Sequence, residues 1–239
     1  MAAEPITDKA ARIRRIVLRL KRVHPDARLA LDFRSPFELL VALILAAQCT
    51  DEKVNEVTST VFEKYRSPAD FVRVSPAELE ADIRPTGFYR TKARSLQRCC
   101  SALINQHDGA VPRDLDDLLA LPGVGRKTAN ILRGNAFGDP AIGVDTHVLR
   151  LSQRLGLTRQ TDPDKVERDL TRLARPGDWI RLCHLLQFHG RRVCMARKPR
   201  CPDCQVAAFC RFPKKTPPEP RDTRSRRAAV RRPGLMPEG

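Results

Sequence analysis

The stretch from Leu121 through Pro122, Gly123, Val124, Gly125, Arg126 and Lys127 to Asn130 constrains this chain more than any other. It reads as a helix end, a tight reversal around Val124 and the start of a second helix. Gly123 and Gly125 are free to take left-handed backbone angles that a Cβ would penalise. A helix that begins directly after such a turn leaves its first N–H groups unpaired and pointing outward, a seat for an anion. Arg126 and Lys127 add positive charge at that end. A Pro-Gly-x-Gly turn alone is a weak signal, because it also joins helices that bind nothing. Two additions strengthen it. Lys127 stands at the positive end of a helix dipole, where a cation is disfavoured and so implies a chemical task. Asp145, in Val144-Asp145-Thr146-His147, follows 18 residues later.

The elements around this stretch predict an all-α fold. Residues 10–23 form a basic amphipathic helix with Ile13, Ile16, Val17 and Leu20 on one face. Ser35-Pro36-Phe37-Glu38, Ser67-Pro68-Ala69-Asp70 and Ser75-Pro76-Ala77-Glu78 are three helix starts, each with a capping serine, a first-turn proline and an acid at the third position. No alternating strand pattern separates them. The helix of residues 36–48 is apolar almost all round, as expected at the centre of a bundle, and ends at Gln48-Cys49-Thr50-Asp51, where Asp51 is placed to cap the next helix. Pro85 and Gly87 make a loop that presents Phe88 ahead of a helix reaching about Gln106. Tyr89 is expected to pack, and Arg90 and Lys92 to face a phosphate backbone. The hairpin is expected to join a helix over residues 114–121 to one over 127–135. Asp145 occupies an N-cap position, which would by itself explain its presence. Further helices start at Asp162 and Trp179, and His184 and His189 read as packing or capping groups.

Cys194, Cys201, Cys204 and Cys210 follow within one short basic segment, a dense metal-binding pattern. Four thiolates suit zinc or an iron–sulfur cluster, and the spacing admits both. Cys49, Cys99, Cys100 and Cys183 fall outside the pattern and are expected as reduced thiols. Residues 1–8 lack the apolar core of a signal peptide and no apolar run spans a bilayer, so a reducing, cytoplasmic, nucleoid-associated setting without membrane contact is expected. Lys and Arg number 44 against 28 Asp and Glu, a net charge of +16 that favours a polyanionic partner. From Pro213 onward, proline and basic residues replace apolar ones, and residues 213–239 read as a disordered basic tail, either a DNA tether or a solubiliser.

The hairpin with Lys127, the Val144-Asp145-Thr146-His147 segment, the Ala47-Gln48-Cys49-Thr50-Asp51 turn and the four cysteines together resemble the endonuclease III family of helix-hairpin-helix DNA glycosylases. The likeness runs from about Leu31 to about Cys210. It implies two helical domains with DNA in the cleft between them: residues 31–139 as a helical barrel containing the hairpin at 114–135, and residues 140–212 as an iron–sulfur domain onto which residues 1–30 pack. It implies Lys127 as nucleophile with Asp145 as its partner, and a [4Fe–4S] cluster on Cys194, Cys201, Cys204 and Cys210. DNA contacts are implied for Gln48 and Phe88, which would fill the gap left by an extruded base, for Gly123, Val124, Gly125 and Arg126, and for Thr146 and His147. The expected activity is removal of oxidised pyrimidines from double-stranded DNA, with cleavage of abasic sites through a lysine Schiff base, by a monomer. Three other readings stand beside it. An adenine-mismatch glycosylase normally lacks the lysine, a bare helix-hairpin-helix grip needs no carboxylate, and an electron carrier needs little beyond its cluster.

Overall fold

A computed structural model describes residues 4–217, and the last part of the expected basic tail, from 218 on, lies outside the described residues. All regular structure among the described residues is helical. The eleven α-helices are α1 (Ile6–Val23), α2 (Pro36–Leu45), α3 (Asp51–Lys64), α4 (Pro68–Arg73), α5 (Pro76–Ile83), α6 (Tyr89–His107), α7 (Leu115–Ala120), α8 (Arg126–Phe137), α9 (Thr146–Arg154), α10 (Pro163–Leu173) and α11 (Trp179–Arg192). None of them is long and apolar enough to cross a membrane.

Local chemistry accounts for where these helices begin. The hydroxyls of Ser35 and Ser75 accept the N–H groups of Glu38 and Glu78, and Ser67 and Asp70 form a reciprocal capping box. Asp145 and Asp162 cap α9 and α10 in the same way, through Val148 and Lys165. One assignment differs from expectation. Thr50, one residue earlier than Asp51, caps α3 by accepting Lys53 N–H, which frees the Asp51 carboxylate to pair with Arg191 at 2.6 Å.

Apolar side chains gather into two cores. The first runs from Leu31 to Leu132 and is centred on α2, where Leu39, Leu40, Val41, Ala42, Ile44 and Leu45 are all buried. Burial on every side, at roughly 1.5–3 kcal/mol per large aliphatic side chain, explains why that helix shows no polar face. The second core joins Ile13, Ile16, Val17 and Leu20 of α1 to residues of α9, α10 and α11 and to Val206. The N-terminal helix therefore packs on the C-terminal half of the chain. Helix α8 lies between the two: Ala129 and Leu132 enter the first core, while Gly134 sits so close to Ile180 of α11 that an added Cβ would come within 3.0 Å of it.

A buried arginine ties the second core to the cysteine segment. Arg12, only 8% exposed, donates to Leu155 O at 2.5 Å, Gly156 O at 3.1 Å and Phe209 O at 3.0 Å, and pairs with Glu4 at 2.8 Å. Arg12→Met is expected to destabilise the protein by about 3 kcal/mol, because it orphans three carbonyls and a carboxylate. Urea unfolding checks this, and a change below about 1 kcal/mol would make the arginine dispensable to the fold.

Candidate functional site

The hairpin forms as a reversal between α7 and α8, with one change in its backbone. Gly123 takes the left-handed conformation, at φ 86°, whereas Gly125 is extended, at φ −95°. Nothing lies within 4 Å of the position a Cβ would occupy on Gly125. Its smallness thus meets no conformational need and leaves open the approach to the α8 N-terminus. No side chain caps that terminus, so the first-turn N–H groups point outward, as anion seats require. Val124 is buried in the first core and fixes the loop from below.

Lys127 is exposed on the first turn of α8. The segment carrying Asp145 is drawn against that same turn by a close backbone approach. A Cβ on Gly143 would stand 2.7 Å from Ile131 Cγ1 and 3.4 Å from Lys127 O, so a side chain there would push the segment away. Asn130 Nδ2 donates to Ile142 O at 3.1 Å and holds the contact. Asp145 is itself oriented from two sides: Oδ1 accepts Val148 N–H at 2.7 Å, and Oδ2 accepts Gln187 Nε2 at 3.2 Å. Burial holds the half-buried His147 below the usual imidazole range, and the charges of Asp145, Arg150, Arg191 and Lys127 all reach it. The structure thus brings Lys127, Asp145 and His147 into one electrostatic neighbourhood, with Thr146 exposed beside them.

Two basic residues differ from expectation. Arg126 is engaged within the protein: its guanidinium grips Glu167 bidentately, at 2.8 and 2.9 Å, and Asn130 donates to the same carboxylate at 2.9 Å. Its charge thereby joins α8 to α10. Lys92, expected to face a phosphate backbone, is buried and donates to two carbonyls of the protein main chain, Leu45 O and Thr86 O. Free cations next to the hairpin come instead from Arg94 and Arg98 on α6, which line a groove with Thr91, Ser95 and Gly123. They recur at helical spacing facing the turn, a signal hidden in the sequence among many other arginines.

Gln48 and Phe88 are exposed, Phe88 by 62%, and both adopt left-handed backbone conformations, at φ 54° and 47°. Such angles are rare outside glycine and cluster where a side chain must be presented in a fixed direction. Behind Asp145, a cavity is lined by Asn130, Asn135, Cys183, His184 and Gln187. Burial pushes the Cys183 thiol up to about 12 and the His184 imidazole down to about 4, the latter assisted by Arg181, and His184 Nε2 lies 2.9 Å from Asn135 Oδ1. Gln187 and Gly143 carry no motif and were not singled out in the sequence.

Cys194, Cys201, Cys204 and Cys210 line one pocket with Arg154 and Phe212. Arg154 Nη1 points at Cys194 Sγ from 3.3 Å, and Phe212 N–H points at Cys210 Sγ from 3.5 Å. Burial and the neighbouring cysteines raise the Cys204 and Cys210 thiols above their ordinary value. Cys49, Cys99, Cys100 and Cys183 do not line this pocket, and Cys99 and Cys100 are buried in the first core.

A family model described as "HhH-GPD superfamily base excision DNA repair protein" matches residues 41–176. The chain is 47% identical to the Endonuclease III of Synechocystis sp. over 206 residues, covering 86% of this chain and 94% of that protein. It is 38% identical to the Endonuclease III of Escherichia coli over 208 residues, 87% and 98% of the two chains. Among solved structures, a non-covalent Endonuclease III–DNA complex superposes with a TM-score of 0.81 at 48% identity, covering 84% of this chain and 95% of that one. A trapped Endonuclease III–DNA covalent intermediate matches with the same values.

The cavity behind Asp145 makes an acid-stability test. His184 is neutral when folded and its folded value, about 4, lies below the unfolded value of 6.5. The unfolded chain therefore takes up a proton before the folded one, and stability from this residue is full above pH 6.5 and lost as pH falls toward 4. Relative to His184→Gln, the wild-type melting temperature is expected to fall across that window. Parallel curves would show that the imidazole does not titrate on unfolding.

Proposed function

The chain belongs to the HhH-GPD superfamily of base excision DNA repair proteins and is a DNA glycosylase and abasic-site lyase of the endonuclease III type, and on that premise we propose how its residues divide the work. Lys127 is the nucleophile. Its amine attacks the sugar C1′, the C1′–N bond to the base breaks and the base leaves with one amine proton. The C1′–O4′ bond then opens to give the imine while O4′ takes up the other amine proton. The resulting imine acidifies the C2′ proton; loss of that proton breaks the C3′–O bond, cutting the strand on the 3′ side by β-elimination. Asp145, oriented by Val148 N–H and Gln187, faces the cationic sugar and takes part in the proton transfers. The observation that carries this reading is the close seat of Gly143 on the Lys127 turn, because it draws an oriented carboxylate toward an exposed lysine. A bare phosphate grip needs no such contact.

The substrate is double-stranded DNA carrying an oxidised pyrimidine or an abasic site, bound by a monomer. Stacked bases are out of reach of Lys127, so the nucleotide turns out of the helix while Gln48 and Phe88 fill the space left behind. The open N-terminus of α8 at Gly123, Val124 and Gly125, with Thr146 and His147 across the cleft, takes the backbone phosphates. Arg94 and Arg98 extend this surface, while Arg126 supports it through Glu167. In borohydride trapping on an abasic-site duplex, the wild type is expected to form a covalent adduct and Lys127→Gln none, with duplex affinity retained. Trapping by a folded Lys127→Gln protein would refute the assignment.

Cys194, Cys201, Cys204 and Cys210 are proposed to hold a [4Fe–4S] cluster. The donor set fits it: all four line one pocket, and N–H donors face the sulfurs of Cys194 and Cys210. The cluster, when bound, supplies a thiolate-ligated iron centre that fixes the shape of this loop. The chain's own part is to hold Lys198, Arg200 and Arg211 on its exterior. Metal analysis is expected to find about four irons per chain with broad absorbance near ~400 nm. One zinc and no iron would overturn the proposal.

A further inference from the structure

Lys92 belongs to neither the hairpin nor the cysteine segment, yet it is the only lysine among the buried residues, at 4% exposure. Its Nζ donates to Leu45 O and to Thr86 O, both at 2.8 Å. Among the described residues no carboxylate pairs with it, and burial lowers its pKa, opposed only by Cys49. An ammonium removed from water without a counter-charge is costly, and a methionine or leucine would pack the same space without that cost. The two carbonyls it joins explain why a cation is there. Leu45 ends α2, where the helix dipole is negative. Thr86 closes a 3-10 turn and is itself pinned by its hydroxyl to Ile83 O at 2.8 Å.

Each carbonyl sits at the root of one exposed, left-handed residue. Gln48 follows Leu45 by three positions, and Phe88 follows Thr86 by two. The backbone N–H of Lys92 also donates to Phe88 O at 3.1 Å, so one residue grips the Phe88 turn twice and the Gln48 turn once. We propose that Lys92 is a positioning residue that fixes the separation of Gln48 and Phe88, so that both enter the duplex as one preset pair. Lys92 itself touches no DNA. Without the link, two side chains on separate loops would each have to be ordered during binding, and that entropy would be charged to base extrusion. This inference rests on Gln48 and Phe88 acting as gap-filling residues, which is separately testable.

The experiment uses full-length, iron-loaded protein carrying Lys92→Met or Lys92→Gln, with folding checked by cooperative melting and cluster absorbance. One substrate is a duplex with an abasic site opposite 2-aminopurine, whose fluorescence reports unstacking. The other is the same abasic strand without its complement. Lys92→Met is expected to slow the fluorescence change and duplex trapping by about tenfold, the scale of one lost charge-assisted hydrogen bond. Trapping on the single strand should be unchanged, since no gap is filled there. Lys92→Gln, which retains an uncharged amide donor group on a shorter arm, should fall between, and it carries the comparison alone if the methionine variant does not fold. Equal losses on both substrates, or no loss on the duplex, would overturn the positioning role. Gln48→Ala and Phe88→Ala separate the two ideas. If they slow the fluorescence change and both Lys92 variants do not, only the Lys92 inference fails. If they leave it unchanged, the gap-filling reading fails with it.

Discussion

The approach of Gly143 to the first turn of α8 is the contact on which the site depends. Two cores built from different parts of the chain meet along α8, and the meeting is close because residues 134 and 143 have no side chain. Asn130 then bonds Ile142 O from one core to the other, and Arg126 with Asn130 shares Glu167 of α10. The result is a lysine on one helical start and an aspartate on another, held on a common face by backbone packing. Flexible side-chain reach plays little part, and such preorganisation is what charge stabilisation in catalysis demands.

Positive charge in this protein does two kinds of work. The excess of basic residues invites the reading that all of it meets DNA, yet several cations are spent inside. Arg12 bonds three carbonyls, Lys92 two, and Arg154 two carbonyls and a cysteine sulfur. Arginine suits this role because its planar fork satisfies several acceptors at once in a site where each would otherwise lie buried and unpaired. The cations left for a phosphate backbone are those on exposed helix faces, of which Arg94 and Arg98 beside the hairpin are the clearest.

Most helix starts, the reversal at Gly123 and the four cysteines that share a pocket were legible in the sequence, while the Thr50 cap and the extended Gly125 were not. Each legible feature rests on chemistry between residues close in the chain: a serine and the N–H three positions on, a glycine at one turn, thiols at short spacing. The endonuclease III likeness was legible for the same reason, since its marks are short motifs. What only the tertiary structure decided is how particular side chains are used. Arg126 meets a partner 41 residues away, Asp145 one 42 away, and Lys92 one 47 away. A single sequence carries no record of such pairings, because a lysine buried against two carbonyls and a lysine bathed in water are written with the same letter.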